Sequence, residues 1–179
     1  LLWVFISPFI VLWDVAYVLL RPLSMPGGPI HHLWLPYELY GSVDYLYGLP
    51  GLERGDGLVA AYAVVNFMES VLYIWCAWKI LWESKVGQGR QGLWFQERYI
   101  EGCIGNKVLL VMFATSLTVC IKTILYALNE IFSNFANVGH NSWVKLTAVW
   151  ILPNIPWILV PGRIVYSSGR QIIDGMCIS

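Results

Sequence analysis

Hydrophobic residues along this 179-residue chain gather into four runs, approximately residues 1–20, 57–82, 107–128 and 143–166, separated by stretches rich in turn formers and polar side chains. Each run approaches or exceeds the roughly 20 residues that an α-helix needs to cross about 30 Å of hydrocarbon. The pattern predicts an all-α polytopic membrane protein: a four-transmembrane-helix bundle over residues 1–166, with residues 167–179 as a cytoplasmic tail. The first run has no basic leader and no small-residue cleavage site, carries Asp14, and passes straight into Arg21-Pro22. It therefore reads as a span rather than a secretory signal. Because the chain opens at Leu1 without an initiator Met, further sequence upstream is expected.

The segment 21–56 between the first two runs holds Pro22, Pro26, Gly27, Gly28, Pro29, Pro36, Gly48, Pro50, Gly51 and Gly55, so turns are expected to dominate it. It also holds His31, His32, Trp34, Tyr37, Tyr40, Tyr45 and Tyr47. Such aromatics settle at a membrane interface or close over an apolar pocket, and the segment reads as a long capping loop. The second loop, 83–106, reads as a solvated connection, and the third, 129–142, is polar without Lys or Arg. Seven basic residues (Lys79, Lys85, Arg90, Arg98, Lys107, Arg163, Arg170) flank the second loop or lie in the tail, whereas three (Arg21, Arg54, Lys145) flank the first and third loops. The positive-inside bias then puts both termini in the cytoplasm.

Composition agrees with a membrane setting. Hydrophobic residues make up 58% and charged residues 12%, whereas a soluble domain carries about 25% charged residues. The mean hydropathy is +0.61. Lys and Arg total 11 against 11 Asp and Glu, so no basic excess exists to bind a phosphate backbone, and no nucleic-acid partner is expected. Cys76, Cys103, Cys120 and Cys177 form neither a zinc spacing nor a disulfide ladder and read as core thiols. Without a phosphate loop, a Ser/His/Asp set or a metal cluster, no cofactor or metal is expected. Membrane lipids surround such a chain, and a homodimer stays open.

An ionisable side chain near the bilayer centre costs about 2.5–3.5 kcal/mol on insertion scales, so polar residues inside the runs need a reason. Asp14, Glu69, Lys122 and Asn154 stand out, one per run. At 1.5 Å per residue, Asp14 and Lys122 are expected about 9 Å deep, and Glu69 and Asn154 about 17 Å deep, all from the same face of the membrane. Helical spacing predicts the walls of a shared cavity. Asn66, Glu69, Tyr73 and Cys76 form one stripe; Thr115, Thr118 and Lys122 form another, with Tyr126 beyond; Trp150, Asn154 and Trp157 sit together among Pro153, Pro156 and Pro161. Lys122 and Asp14 have a second reading, snorkelling to the interface, and Glu69 a second reading as a structural pair with Lys122. A carboxyl in an apolar site stays protonated and serves as an acid; a second carboxylate or a water held by Asn154 could accept a proton; tryptophan faces stabilise positive charge. Together these groups suit proton addition to, and removal from, a hydrophobic alkene.

The order Leu12-Trp13-Asp14, Tyr17, Arg21-Pro22, the cap from Ser24-Met25-Pro26-Gly27-Gly28-Pro29 through Tyr37 to Asp44-Tyr45, Asn66 with Glu69, and Pro153-Asn154-Ile155-Pro156-Trp157 with Val160-Pro161-Gly162 resembles the EXPERA family over most of the chain. That family groups the sterol delta-8 to delta-7 isomerase (emopamil-binding protein) with the sigma-2 receptor, and the cap looks most like its fungal members. The resemblance implies four membrane helices in the endoplasmic reticulum and a sterol or polycyclic lipid substrate. It implies Asp14 and Glu69 as the catalytic acids, Asn154 and Trp157 in the ligand pocket, and Asp44 as a cap aspartate. Asn66, Tyr73, Trp150 and Lys122 complete the expected substrate-binding set. Two positions depart from the isomerase: Ile10 stands where it has a histidine, and Lys122 lies in a stretch that is small and acidic there. The leading expectation is a membrane isomerase of sterol metabolism and lipid biosynthesis that shifts a double bond through a carbocation. The alternatives are an isomerase or cyclase acting on a terpenoid or polyketide, and a non-catalytic sterol- or amine-binding protein.

Overall fold

The computed structural model describes residues 2–86 and 98–178. Along the chain run α1 (Leu2–Leu19), α2 (Pro36–Val43), α3 (Leu49–Glu53), α4 (Leu58–Glu83), α5 (Gly102–Phe132), α6 (Trp143–Leu146), α7 (Leu152–Asn154) and α8 (Pro156–Ile178). A 3₁₀ turn (His31–Trp34) precedes α2, and a π-helical turn (Thr147–Ile151) joins α6 to α7. α1, α4, α5 and the stretch Trp143–Cys177 are each long and apolar enough to span a bilayer. The protein is an all-α polytopic membrane bundle.

Packing follows chain direction. α1 runs against α4 and α5 against α8, and contact between α4 and α5 joins the two pairs. Large apolar side chains cover the outside: Phe9 is 70% exposed, Trp82 73% and Phe132 83%. A soluble monomer does not leave that much contiguous apolar surface in water, whereas lipid accepts it. Inside lie two apolar clusters. One, beneath the cap, contains Val15, Tyr17, Trp34, Leu46, Val59 and Tyr126. The other, toward the far end, contains Val4, Tyr73, Cys76, Val108 and Val119.

The cap between α1 and α4 is more ordered than its turn-rich sequence predicts. Proline opens both short helices, Pro36 in α2 and Pro50 in α3, where its fixed φ suits the first turn and its missing N–H goes unneeded. Glycine lets these helices touch: a Cβ on Gly48 would lie 2.3 Å from the Gly41 carbonyl oxygen. Side chains then bolt the cap down. Arg21 donates to the Leu46 carbonyl at 2.9 Å, Trp34 Nε1 to the Trp13 carbonyl at 2.9 Å, and Arg54 to Asn137 Oδ1 at 2.6 Å.

Three helix ends differ from the sequence expectation. α5 continues to Phe132 because Glu130, read as loop, is fully buried and accepts from the Asn137 backbone N–H at 3.2 Å and its side-chain amide at 2.7 Å. α8 keeps residues 167–178, read as a tail, in helix. α5 also starts earlier, at Gly102, which shortens the second loop, and there β1 (Lys85–Val86) pairs antiparallel with β2 (Arg98–Tyr99). Arg90, counted in the charge bias, lies outside the described residues. Cys76 and Cys120 are buried thiols, but Cys103 and Cys177 are exposed, which corrects the expectation of four core thiols.

Candidate functional site

Between the two apolar clusters lies a cavity of 490 Å³ whose walls come from α1, the cap, α4, α5 and the α6–α8 stretch. That volume falls in the range of about 300–1,000 Å³ typical of small-molecule sites. Asp14, Asn66, Glu69, Tyr73, Lys122, Asn154 and Trp157 all line it. Seven of the nine expected site residues thus meet around one space, including the two carboxyls from separate helices.

The lining divides into two polar layers. Asp14 stands five residues from the Leu19 end of α1, about 8 Å along the axis. Glu69 is eleven residues from Leu58, Lys122 ten from Phe132, and Asn154 eleven from Trp143, about 15–17 Å down. Lys122 is therefore deeper than its sequence position implied, because α5 extends past the expected end at residue 128. At that depth it does not snorkel. Its ammonium pairs with Glu69 Oε2 and also donates to Asn66 Oδ1. Their side chains are 12% and 8% exposed, so the pair is largely withdrawn from solvent. The other Glu69 oxygen, Oε1, is buried with no hydrogen-bond partner. The Glu69–Lys122 pairing weighed as an alternative in the sequence is the arrangement found, and it replaces the expected lone protonated Glu69.

In the upper layer Asp14 is held by the roof. The Tyr37 hydroxyl donates to Asp14 Oδ1 at 2.5 Å, and that of Tyr47 reaches Oδ2 only at 3.5 Å. Tyr17 stacks on Tyr37 with centroids 4.0 Å apart, and Tyr40 meets Tyr47 edge-on at 5.0 Å. Burial pushes the phenols of Tyr37, Tyr40 and Tyr47 well above their ordinary pKa, so they stay neutral donors. These three tyrosines line the cavity and were absent from the expected site. Their clustering in an aromatic cap was the available signal; which hydroxyl would reach Asp14 depends on how α2 folds back.

The fourth stretch supplies Asn154 and Trp157. Asn154 Nδ2 donates to the Trp150 carbonyl at 2.7 Å, and Trp157 packs edge-on against Trp3 with centroids 4.8 Å apart. Trp150 itself does not line the cavity. The π-helical turn rotates it toward Asp44, whose Oδ2 accepts from Trp150 Nε1 at 2.9 Å. Asp44 also accepts from the Tyr126 hydroxyl and, through Oδ1, from the Leu46 N–H at 2.9 Å. It is fully buried behind the cavity wall. Burial raises its pKa to about 6, against the pull of those hydrogen bonds. Asp44 and Trp150 thus support Tyr126 and the cap, and neither lines the cavity, unlike the other expected substrate-binding residues.

Other expected wall positions also differ. Cys76 points away to the Val108 carbonyl at 3.9 Å, Thr118 is exposed with its hydroxyl on the Ala114 carbonyl, and Thr115 is buried outside the cavity. Ile10 lines the cavity. Comparison with family models, curated proteins and solved structures finds no match to this chain. The chemistry available is thus that of the cavity itself: two carboxyls at different depths, one ammonium, several phenols, the amides of Asn66 and Asn154, the hydroxyls of Ser7, Ser70 and Thr123, and otherwise apolar side chains.

Proposed function

We propose that this protein is a membrane isomerase that shifts a double bond in a sterol or related polycyclic lipid, adding a proton at one carbon and removing one from another. The observation that carries this reading is that Asp14 and Glu69, from α1 and α4, line one cavity of 490 Å³. Among the described residues, no histidine, cysteine or arginine contributes to that lining.

The two layers suggest a division of labour. Asp14 Oδ2, with only a long contact to Tyr47, delivers a proton to one alkene carbon, and a carbocation forms on its neighbour. The Tyr37 hydroxyl, donating to Oδ1, stabilises the carboxylate left behind, whose charge both oxygens share. Glu69, paired with Lys122, is the acceptor that takes a proton from the carbon next to the cation, closing the new double bond. Aromatic faces of Trp157 and the roof tyrosines favour the intermediate cation. Product departure and water entry reset the pair: Glu69 releases its proton to water and Asp14 takes one up from water. The proton count balances, and no external oxidant or reductant is required.

A second substrate class, a terpenoid or polyketide, is favoured by Lys122 on Glu69 and by Ile10 among the lining residues. The basic-residue bias supports an orientation with both termini cytoplasmic, and the resemblance to the EXPERA family supports an endoplasmic-reticulum membrane. Expression in a yeast strain lacking sterol delta-8 to delta-7 isomerase tests the reading. Restored delta-7 sterols support the sterol substrate. Unchanged delta-8 sterols with the protein present in the membrane move the assignment to another polycyclic lipid.

A further inference from the structure

We infer that Lys122 sets which ligands the cavity accepts, because its ammonium, paired with Glu69 Oε2, already neutralises the carboxylate that a ligand's cation would seek. The cavity therefore selects neutral lipids over protonated amines. Lys122 reaches from α5 across the bundle to Glu69 and Asn66 on α4, and all three residues line the cavity. Being covalently tethered, this ammonium competes with any free amine at a high effective concentration. Both partners of the pair are nearly withdrawn from water, so their attraction is weakly screened.

The remaining ionisable groups facing the cavity are Asp14 and the phenols of Tyr37, Tyr40, Tyr47, Tyr62, Tyr73 and Tyr126. Asp14 is the other carboxyl a ligand cation could approach. It lies about 9 Å nearer the cap than Glu69, and the Lys122 charge repels a cation placed there across a cavity of low polarity. One positive side chain thus sets the charge preference of a site whose acids alone would favour amines.

The inference rests on the proposed function only in taking the cavity to be the ligand site, and binding tests it without turnover. Two probes of one shape are compared on the full chain in detergent: a polycyclic tertiary amine, protonated at pH 7, and its uncharged isostere with carbon in place of nitrogen. Tryptophan fluorescence reports both dissociation constants. Wild type is expected to prefer the neutral probe. Lys122→Gln, which retains an amide donor for Glu69, is expected to shift the amine-to-neutral affinity ratio by at least tenfold toward the amine. Lys122→Arg keeps the wild-type ratio, and Glu69→Gln combined with Lys122→Gln returns toward it. Should Lys122→Gln misfold, Lys122→Asn, whose shorter amide leaves room for a water on Glu69, reads the same comparison. An unchanged ratio with both probes bound overturns the role of Lys122 and leaves the cavity as a ligand site. Failure of both probes to bind wild type overturns both.

Discussion

Lys122 on α5 and Glu69 on α4 form an ion pair across the bundle at one depth, with Asn66 as the second acceptor of the ammonium. Taking either charge out of water is costly, and removing one partner leaves the other unpaired in a site with little solvent. Glu69→Met and Lys122→Met are each expected to destabilise the bundle by about 3–5 kcal/mol, and the double substitution by less than either alone. Reversible unfolding in mixed micelles measures the cycle. Strictly additive losses would show that the two charges do not depend on each other.

The hold of Tyr37 on Asp14 leads to a second expectation. A hydrogen bond to a charged acceptor contributes about 1.5–3 kcal/mol, so Tyr37→Phe should lower turnover about tenfold or more. Tyr47→Phe should change it little, since that contact is 3.5 Å long. Turnover of the two variants on one lipid substrate compares them. Equal losses would mean that the roof acts by shape rather than through the 2.5 Å bond.

Asp44 gives a pH signature of stability. Its carboxyl is raised from 3.8 to about 6 in the folded protein, chiefly by burial. The native state therefore binds the proton more tightly than the unfolded chain, and stability rises as pH falls through 6. The gain is complete below 3.8, the unfolded value. From pH 7 to 5 the increment is about 1 kcal/mol. Thermal melts of wild type and Asp44→Asn across that range isolate it: the variant should lose this slope. Parallel curves would remove Asp44 from the account.

The cap depends on a close approach that only glycine allows. Gly48→Ala would put a methyl group 2.3 Å from the Gly41 carbonyl oxygen, an overlap that backbone shifts relieve at about 1–3 kcal/mol. The melting temperature should fall, and proteolysis within 41–56 should quicken. A variant as stable as wild type would show that α2 and α3 have room to part.

The four spans were legible because each run is apolar enough for lipid, and Asp14, Glu69 and Asn154 stood out because each interrupts such a run. Depth was harder to read. Lys122 was expected nearer the interface because Asn129 and Glu130 read as loop, and nothing local shows that Asn137 bonds back to bury Glu130. Trp150 was placed with Asn154 and Trp157 on a regular helical stripe, but the π-helical turn at Thr147–Ile151 breaks that register. The cap helices were hidden because proline and glycine signal turns as strongly as they signal the first residue of a short helix or a close contact. Tyr37 reaches Asp14 only through that folding, so the roof of the cavity was not recoverable from spacing alone.

Incubation of the purified protein with a delta-8 sterol in deuterated water tests the central claim most directly. Wild type is predicted to give the delta-7 product carrying one solvent deuterium, with Asp14→Asn and Glu69→Gln each at least about a hundredfold slower. Full turnover by either variant, or product without deuterium, would contradict proton transfer by these two carboxyls.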